Sequence, residues 1–318
     1  MNVLVTGVGA IIGYGIIESL RLSKYKCFIV GIDIFEENYG KYVSDAFVQV
    51  PYTSDPSYPA IIREIIDKYD IDLVFPGIEQ DMLFYALNQT DFNVPIILNK
   101  KELVELSQDK LLMYNYLDGL GFNYLIPTKF DLSFDEAKDE LGLPFIIKPR
   151  KSYASKGYFV ISGKEDFEKH SEWINENTIY QPYVGSADDE YTASIFGDSC
   201  GGFFDSLVFR RYLSKEGASE KVIICELDIK TIEFFSSIAS IFKPIGPTNI
   251  QYRIEKDRIY LLEINPRISS SCSLRTKFGY NEPEICIDFY IKGERDILPK
   301  VKSKGRAIRY IADKLSYE

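Results

Sequence analysis

The rhythm of apolar runs changes once along this chain, near Pro127, and that change constrains the fold more than any single motif. Before it, short apolar runs at 3–6, 28–32, 46–50, 73–76 and 96–98 alternate with helical spacing at 13–22 and 58–69. Strands separated by helical patterns make βαβ units, which build a mostly parallel sheet. A further helical stretch, 103–120, ends at Gly119-Leu120-Gly121, as helices commonly do. Beyond Pro127 the runs at 144–148, 158–161, 178–182, 191–196, 202–212 and 220–226 read as strands. A helix over 228–242 then leads into strands 249–254 and 258–264, joined by the polar turn Glu255-Lys256-Asp257. The expected class is therefore α/β followed by α+β. No repeat, low-complexity tract or long linker intervenes, so the domains should pack around a cleft.

Composition narrows the chemistry. The 318 residues suffice for two or three packed domains, and no apolar run approaches the ~20 residues of a bilayer span. The opening Met1-Asn2-Val3-Leu4-Val5-Thr6-Gly7 has no basic flank and reads as a core strand rather than a secretory segment. Five cysteines without a CxxC pair suggest neither a zinc knuckle nor a disulfide framework, and point to the reducing cytoplasm. A net charge of −10 works against a nucleic-acid partner. The single histidine, His170, lies in a polar helical stretch, which removes Ser-His-Asp triads, HExxH zinc sites and histidine bases together.

Four constellations remain. In the C-terminal hairpin, Glu263 and Asn265 are two apart and share a strand face, and the short turn brings Gln251 nearly opposite Glu263. Three oxygen-bearing side chains with one carboxylate suit magnesium that is also held by phosphates, and Pro266 ends the strand, leaving Arg267 to lean over that edge. Taken alone, the same residues also suit an exposed hairpin with a polar face. Lys148 ends an apolar strand and precedes the small, cationic loop Lys151 to Gly157, which could fold its N–H groups over phosphate oxygens or could be a basic surface loop. The strand ending Gln181-Pro182-Tyr183-Val184, with Glu190 beyond it, could meet an adenine edge and ribose hydroxyls; acids in turns are also commonly just solvated. Finally, Gly7 to Gly15 sits between a strand and a helix with Asp33 ending the next strand, but its spacing is GxGxxxG, so tight turn and helix packing compete with a dinucleotide site.

The order of these pieces resembles the ATP-grasp superfamily. It runs through Ser107-Gln108-Asp109-Lys110, Phe145-Ile146-Ile147-Lys148-Pro149 and Gln181-Pro182-Tyr183-Val184 to Asn249-Ile250-Gln251 and Glu263-Ile264-Asn265-Pro266-Arg267-Ile268-Ser269-Ser270-Ser271. Within the superfamily it is similar to the branch of the carbamoyl phosphate synthetase large subunit and the pyrrolysine-biosynthesis ligase. The resemblance implies a Rossmann-like domain over 1–106, a small lid subdomain with its leading helix over 107–184, and a large subdomain over 185–318. It implies ATP and Mg2+: Lys110 and Lys148 on phosphates, Ser155, Lys156 and Gly157 in a lid loop, and Gln181, Tyr183, Val184 and Glu190 around adenine and ribose. Gln251, Glu263 and Asn265 would hold the metal, Arg267 the transferred phosphoryl group, and Arg211 the acid.

The implied reaction joins a small carboxylate to an amine through an acyl phosphate, releasing ADP and phosphate. Bicarbonate-using members tend to carry an arginine where this chain has Ser270, which speaks against bicarbonate, and many relatives have an acid at Gln251. Asp81 in Glu79-Gln80-Asp81 is a candidate to receive the amine's proton. The alternatives are bicarbonate use as in carbamoyl phosphate synthetase, a nicotinamide-dependent reductase, and a noncatalytic nucleotide-binding module. No membrane partner is expected, and the sequence leaves a homodimer open.

Overall fold

Strand β1 (Asn2–Thr6) buries Val3 and Val5 in one core and Leu4 in another, the alternation of a central strand covered on both faces. The computed structural model describes residues 1–151, 157–214, 217, 219–295, 297, 299–310 and 313. Around β1 stand β2 (Phe28–Asp33), β3 (Ala46–Gln49) and β4 (Leu73–Phe75), all parallel, in the order β3-β2-β1-β4. Helices α1 (Ile11–Arg21) and α2 (Tyr58–Lys68) make the crossovers. A Cβ on Gly13 would meet the Gly7 carbonyl at 2.3 Å, so this glycine serves the close packing of α1 on its turn. The expected strand at 96–98 forms only an isolated bridge, Val74 with Ile96.

After β4 the chain enters α3 (Glu79–Leu87). The single helix expected over 103–120 is two, α4 (Lys101–Ser107) and α5 (Lys110–Gly119). Asp109 divides them, its side chain accepting from the Leu111 and Leu112 N–H groups; an aspartate offers this cap more readily than it continues a helix. Met113 and Leu117 of α5 join the core of the large sheet described next, so this leading helix packs with the large subdomain rather than with the small one.

The small sheet holds β5 (Lys129–Phe130), β6 (Phe145–Pro149), β7 (Phe159–Ile161) and β8 (Thr178–Pro182), antiparallel in the order β5-β8-β6-β7. It is backed by α6 (Phe134–Leu141), which starts on a Ser133/Glu136 capping box, and by α7 (Lys164–Lys169). The large sheet has β9 (Glu190–Asp198), β10 (Phe203–Leu213), β11 (Ser219–Cys225), β12 (Ile245–Glu255), β13 (Arg258–Asn265) and β14 (Arg306–Ile308), in the order β13-β12-β9-β10-β11-β14. Helix α8 (Ile229–Phe242) packs on one face; α9 (Cys272–Lys277) and α10 (Glu282–Cys286) join the other to the first domain. Among the described residues no helix is long and apolar enough to cross a membrane.

Lys256 and Asp257 both adopt positive φ, 47° and 67°, which makes a two-residue turn whose twist suits a hairpin. That turn sets the register from Glu255 opposite Arg258 to Tyr252 opposite Leu261. A bulge at Leu262 then shifts the pairing by one residue, so that Gln251 stands opposite Glu263 and Asn249 opposite Asn265. Both Leu262 and Glu263 consequently line the same cleft, which strict alternation forbids.

Candidate active site

The small and large sheets face each other across a cleft of about 290 Å3. Ile146, Val184 and Leu262 give it apolar walls, and Lys110, Lys148 and Glu263 line it with charge. Lys148 is carried in at the end of β6, behind the buried Phe145, Ile146 and Ile147. Burial, then the neighbouring Lys110, pushes its ammonium down to about 8. Lys110 opens α5, its N–H donates to the Arg150 carbonyl at 3.1 Å, and its Nζ stands 3.9 Å from Glu263 Oε1. Arg150 in turn grips Asp109 through two N–H groups, at 3.1 and 2.7 Å, so the α5 cap and the end of β6 are locked together.

Deeper in the cleft, Glu190 is not the open ribose acceptor the sequence suggested. Its Oε1 accepts from Arg211 at 2.6 Å and its Oε2 from Arg253 at 2.9 Å. Burial opposes its charge, yet the two guanidinium groups prevail and hold the carboxyl below its usual range. Arg211 is correspondingly not free to grip an acid: it also donates to Gln251 Oε1 at 2.7 Å. Gln251 therefore turns its carbonyl to Arg211, although its backbone register is the expected one.

Of the three side chains expected to hold a metal, Glu263 and Asn265 remain side by side. Asn265 Nδ2 donates to Glu263 Oε2 at 3.3 Å, and its Oδ1 accepts from Arg267 at the same distance. Among the described residues no group of three or more His, Cys, Asp or Glu could hold a metal. One carboxylate and neutral oxygens fit a magnesium ion that brings phosphate ligands of its own, and do not fit an all-protein cage.

A second opening, of about 270 Å3, lies between Glu79, Lys151, Glu263 and Asn265, so Glu263 belongs to both cavities. Arg267, expected to lean freely over the metal edge, is instead bonded to Glu79 at 2.5 Å across the domain boundary. Asp81 is not in this opening; it lines a cavity of the first domain and is bonded to Thr6. The carboxylate that α3 sends to the site is Glu79.

Tyr183 and Val184 line the cleft, and the Val184 carbonyl accepts from Arg253 at 3.1 Å. Gln181 sits in an adjoining space beside Lys110 and Lys148, donating to Thr128 at 2.7 Å. Gly157, at φ +76°, packs on the Pro149 ring outside the cleft lining, and Ser155 and Lys156 lie outside the described residues. Sequence reasoning overlooked Arg253, Arg150 and Glu79. Arg253 had a usable signal, since it is two residues beyond Gln251 and so shares its strand face. The loop after Asn265 also has an arginine after all: Arg309, from beyond β14, donates to the Ser270 carbonyl.

Residues 205–313 match a family model described as ATP-grasp in the biosynthetic pathway with Ter operon. The structure overlays the Staphylococcus aureus N5-carboxyaminoimidazole synthetase complexed with ADP at TM-score 0.70 and 20% identity, covering 92% of this chain and 78% of that one. The chain has the ATP-grasp fold. An ATP-grasp neighbour of the same shape is the biotin carboxylase domain of Hydrogenobacter thermophilus 2-oxoglutarate carboxylase, in complex with MgADP, ADP and bicarbonate, at TM-score 0.69, 15% identity and coverage of 92% and 70%. In sequence the chain is 23% identical over 249 residues to the carbamoyl phosphate synthase large chain of Thermoplasma volcanium, covering 70% of this chain but only 23% of that protein's length. It is also 23% identical over 275 residues to the S. aureus N5-carboxyaminoimidazole ribonucleotide synthase, covering 83% of this ATP-grasp chain and 69% of the relative.

Proposed function

We propose that this chain is an ATP-dependent ligase that phosphorylates a small carboxylate and passes the acyl group to an amine, releasing ADP and phosphate. The observation that carries the reading is the position of Glu263, shared between an apolar-walled cleft with two lysines and an opening edged by Glu79 and Asn265. A nucleotide in the first cavity would present its terminal phosphate toward the second, where the acid and amine would lie. Lys110 and Lys148 hold phosphate oxygens, the apolar walls hold the base, and Arg267, fixed by Glu79, faces the transferred group. Glu263 and Asn265 would hold Mg2+, which supplies charge neutralisation for phosphoryl transfer. The free cysteines suit a reducing, cytoplasmic setting.

Bicarbonate as the carboxylate is the second reading. Arg309 at the Ser270 carbonyl favours it, because a guanidinium reaches the loop that lacks an arginine of its own. A nicotinamide cofactor is disfavoured by the glycine turn, whose Gly9 N–H already donates to Asp33 at 2.8 Å. The deciding experiment is a screen of carboxylate and amine pairs, with bicarbonate as one carboxylate, read by product nucleotide. ADP and phosphate are expected. AMP and pyrophosphate would overturn the mechanism, ADP release dependent on bicarbonate alone would select the second reading, and ATP binding without turnover on any pair would leave a binding module.

A further inference from the structure

The parallel sheet of the first domain ends in a cavity of about 730 Å3 that the ligase reading does not use. It opens beyond the carboxyl ends of β1, β2 and β4, at Gly7, Asp33 and Ile78. There the strand order reverses, since β2 and β4 flank β1 on opposite sides, and open parallel sheets take ligands at such points. Phe35, Tyr39 and Tyr52 form an exposed aromatic rim at 64%, 42% and 64% exposure, whereas Tyr58 and Asp81 are buried in the wall at 1% and 5%.

The wall chemistry selects against phosphate. Asp33 Oδ2 accepts from the Gly9 N–H at 2.8 Å and Oδ1 from the Phe35 N–H at 3.0 Å, so the protein's own carboxylate takes the anion position of the glycine turn. Tyr39 stacks edge-on against Tyr14 in the first turn of α1. Asp33, Glu37 and Asp81 line the cavity with no lysine or arginine among its lining residues. Glu37 is paired with Lys41 at 2.9 Å, but Asp33 and Asp81 have no ion-pair partner among the described residues. The Tyr58 hydroxyl is enclosed in the wall beside the Asp81 carboxyl. Burial, with the Asp33 charge adding to it and the Thr6 bond and the nearby Tyr58 hydroxyl opposing, pushes the Asp81 carboxyl up to about 6, the state of an acid that lacks a cation.

We propose that this cavity is a second small-molecule site, whose ligand is an organic amine cation carried on an aromatic ring. The ammonium donates to the Asp81 and Asp33 carboxylates, and the ring lies among Phe35, Tyr39 and Tyr52, whose faces attract cations and stack on rings. The site stands whether or not the neighbouring cleft makes amides.

Tyramine tests it, titrated by calorimetry into the full chain with the nucleotide cleft saturated by MgADP. Tyramine is expected to bind at millimolar concentration or tighter, while 4-hydroxyphenylacetate, the same ring with the opposite charge, does not. Asp81→Asn should weaken tyramine at least about tenfold, the loss of one charge-assisted contact. Tyr52→Ala, a change on the exposed rim that leaves the buried wall intact, should weaken it as well. Both variants should retain wild-type MgADP affinity. Equal binding of amine and carboxylate, unchanged tyramine affinity in folded Tyr52→Ala and Asp81→Asn, or no tyramine binding at millimolar concentration would each overturn the proposal.

Discussion

Glu263 stands where two cavities meet, 3.9 Å from the Lys110 ammonium and hydrogen-bonded to Asn265, and it is the only carboxylate of the pair proposed to hold magnesium. Glu263→Gln keeps the shape and removes the one formal negative charge that the proposed site offers magnesium. ADP release should fall roughly 10²- to 10³-fold, the scale of losing one preorganised electrostatic partner in phosphoryl transfer. A magnesium titration checks this, with thermal melting as the folding control; a folded variant turning over near the wild-type rate at low magnesium would remove Glu263 from the site. Lys148 gives a prediction in pH. The charged form is the one that binds phosphate, and burial with Lys110 beside it holds the ammonium near 8, below the usual lysine range. MgADP affinity should accordingly fall as pH rises through about 8, with proton uptake on binding above it, because bound phosphates pull the pKa back up. Lys148→Arg, whose guanidinium stays charged, should flatten that dependence. A flat wild-type profile in calorimetry across the same range would place Lys148 off the phosphates.

Among the elements, the β12–β13 hairpin and helix α3 build the site in different ways, and they were unequally legible. The hairpin could be read from sequence, since two strand-like runs flank a short polar turn that brings Gln251 back close to Glu263. Its side-chain partners could not. Arg211 comes from β10, and only sheet assembly decides that it takes the Gln251 oxygen and a Glu190 oxygen together. The bulge at Leu262 was equally hidden, because nothing in an apolar run marks which residue is extra. Helix α3 shows the same limit. Glu79 and Asp81 are two apart near a helix start, and spacing alone cannot say which faces Arg267 and which faces Thr6. Glu79→Gln tests that assignment: with the ion pair to Arg267 lost, ADP release should drop roughly tenfold, the cost of one charge-assisted contact. MgADP affinity should hold, since Glu79 does not line the cleft proposed to take the nucleotide. A matching loss of MgADP affinity would instead mean that the change reaches the whole cleft.

At the scale of the molecule, the cores do not follow the three sheets. Ile16 and Val5 of the first domain share one cluster with Phe209 and Val222 of the large sheet and Cys272 of α9, so these two domains have a continuous interior. The small sheet closes on its own cluster around Phe145, Ile147, Ile161 and Tyr180. A small separate core buries less apolar surface and should open at lower free energy than the joint one. Amides of β6 and β8 should thus exchange with solvent before those of β1 and β10, and bound MgADP, which bridges the small and large sheets in the proposed mode, should slow β6 and β8 most. Ile16→Ala then separates the cores. The side chain is fully buried, and its truncation should cost about 2–5 kcal/mol. Because the cluster crosses the domain boundary, hydrogen exchange followed by mass spectrometry should show faster globally limited exchange in β1 and β10 together. Exchange of β6 through local opening should stay at the wild-type rate, since Phe145 and Ile147 belong to a different cluster from Ile16. If β1 loses protection while β10 keeps it, the first domain unfolds by itself and the shared interior does not couple the two.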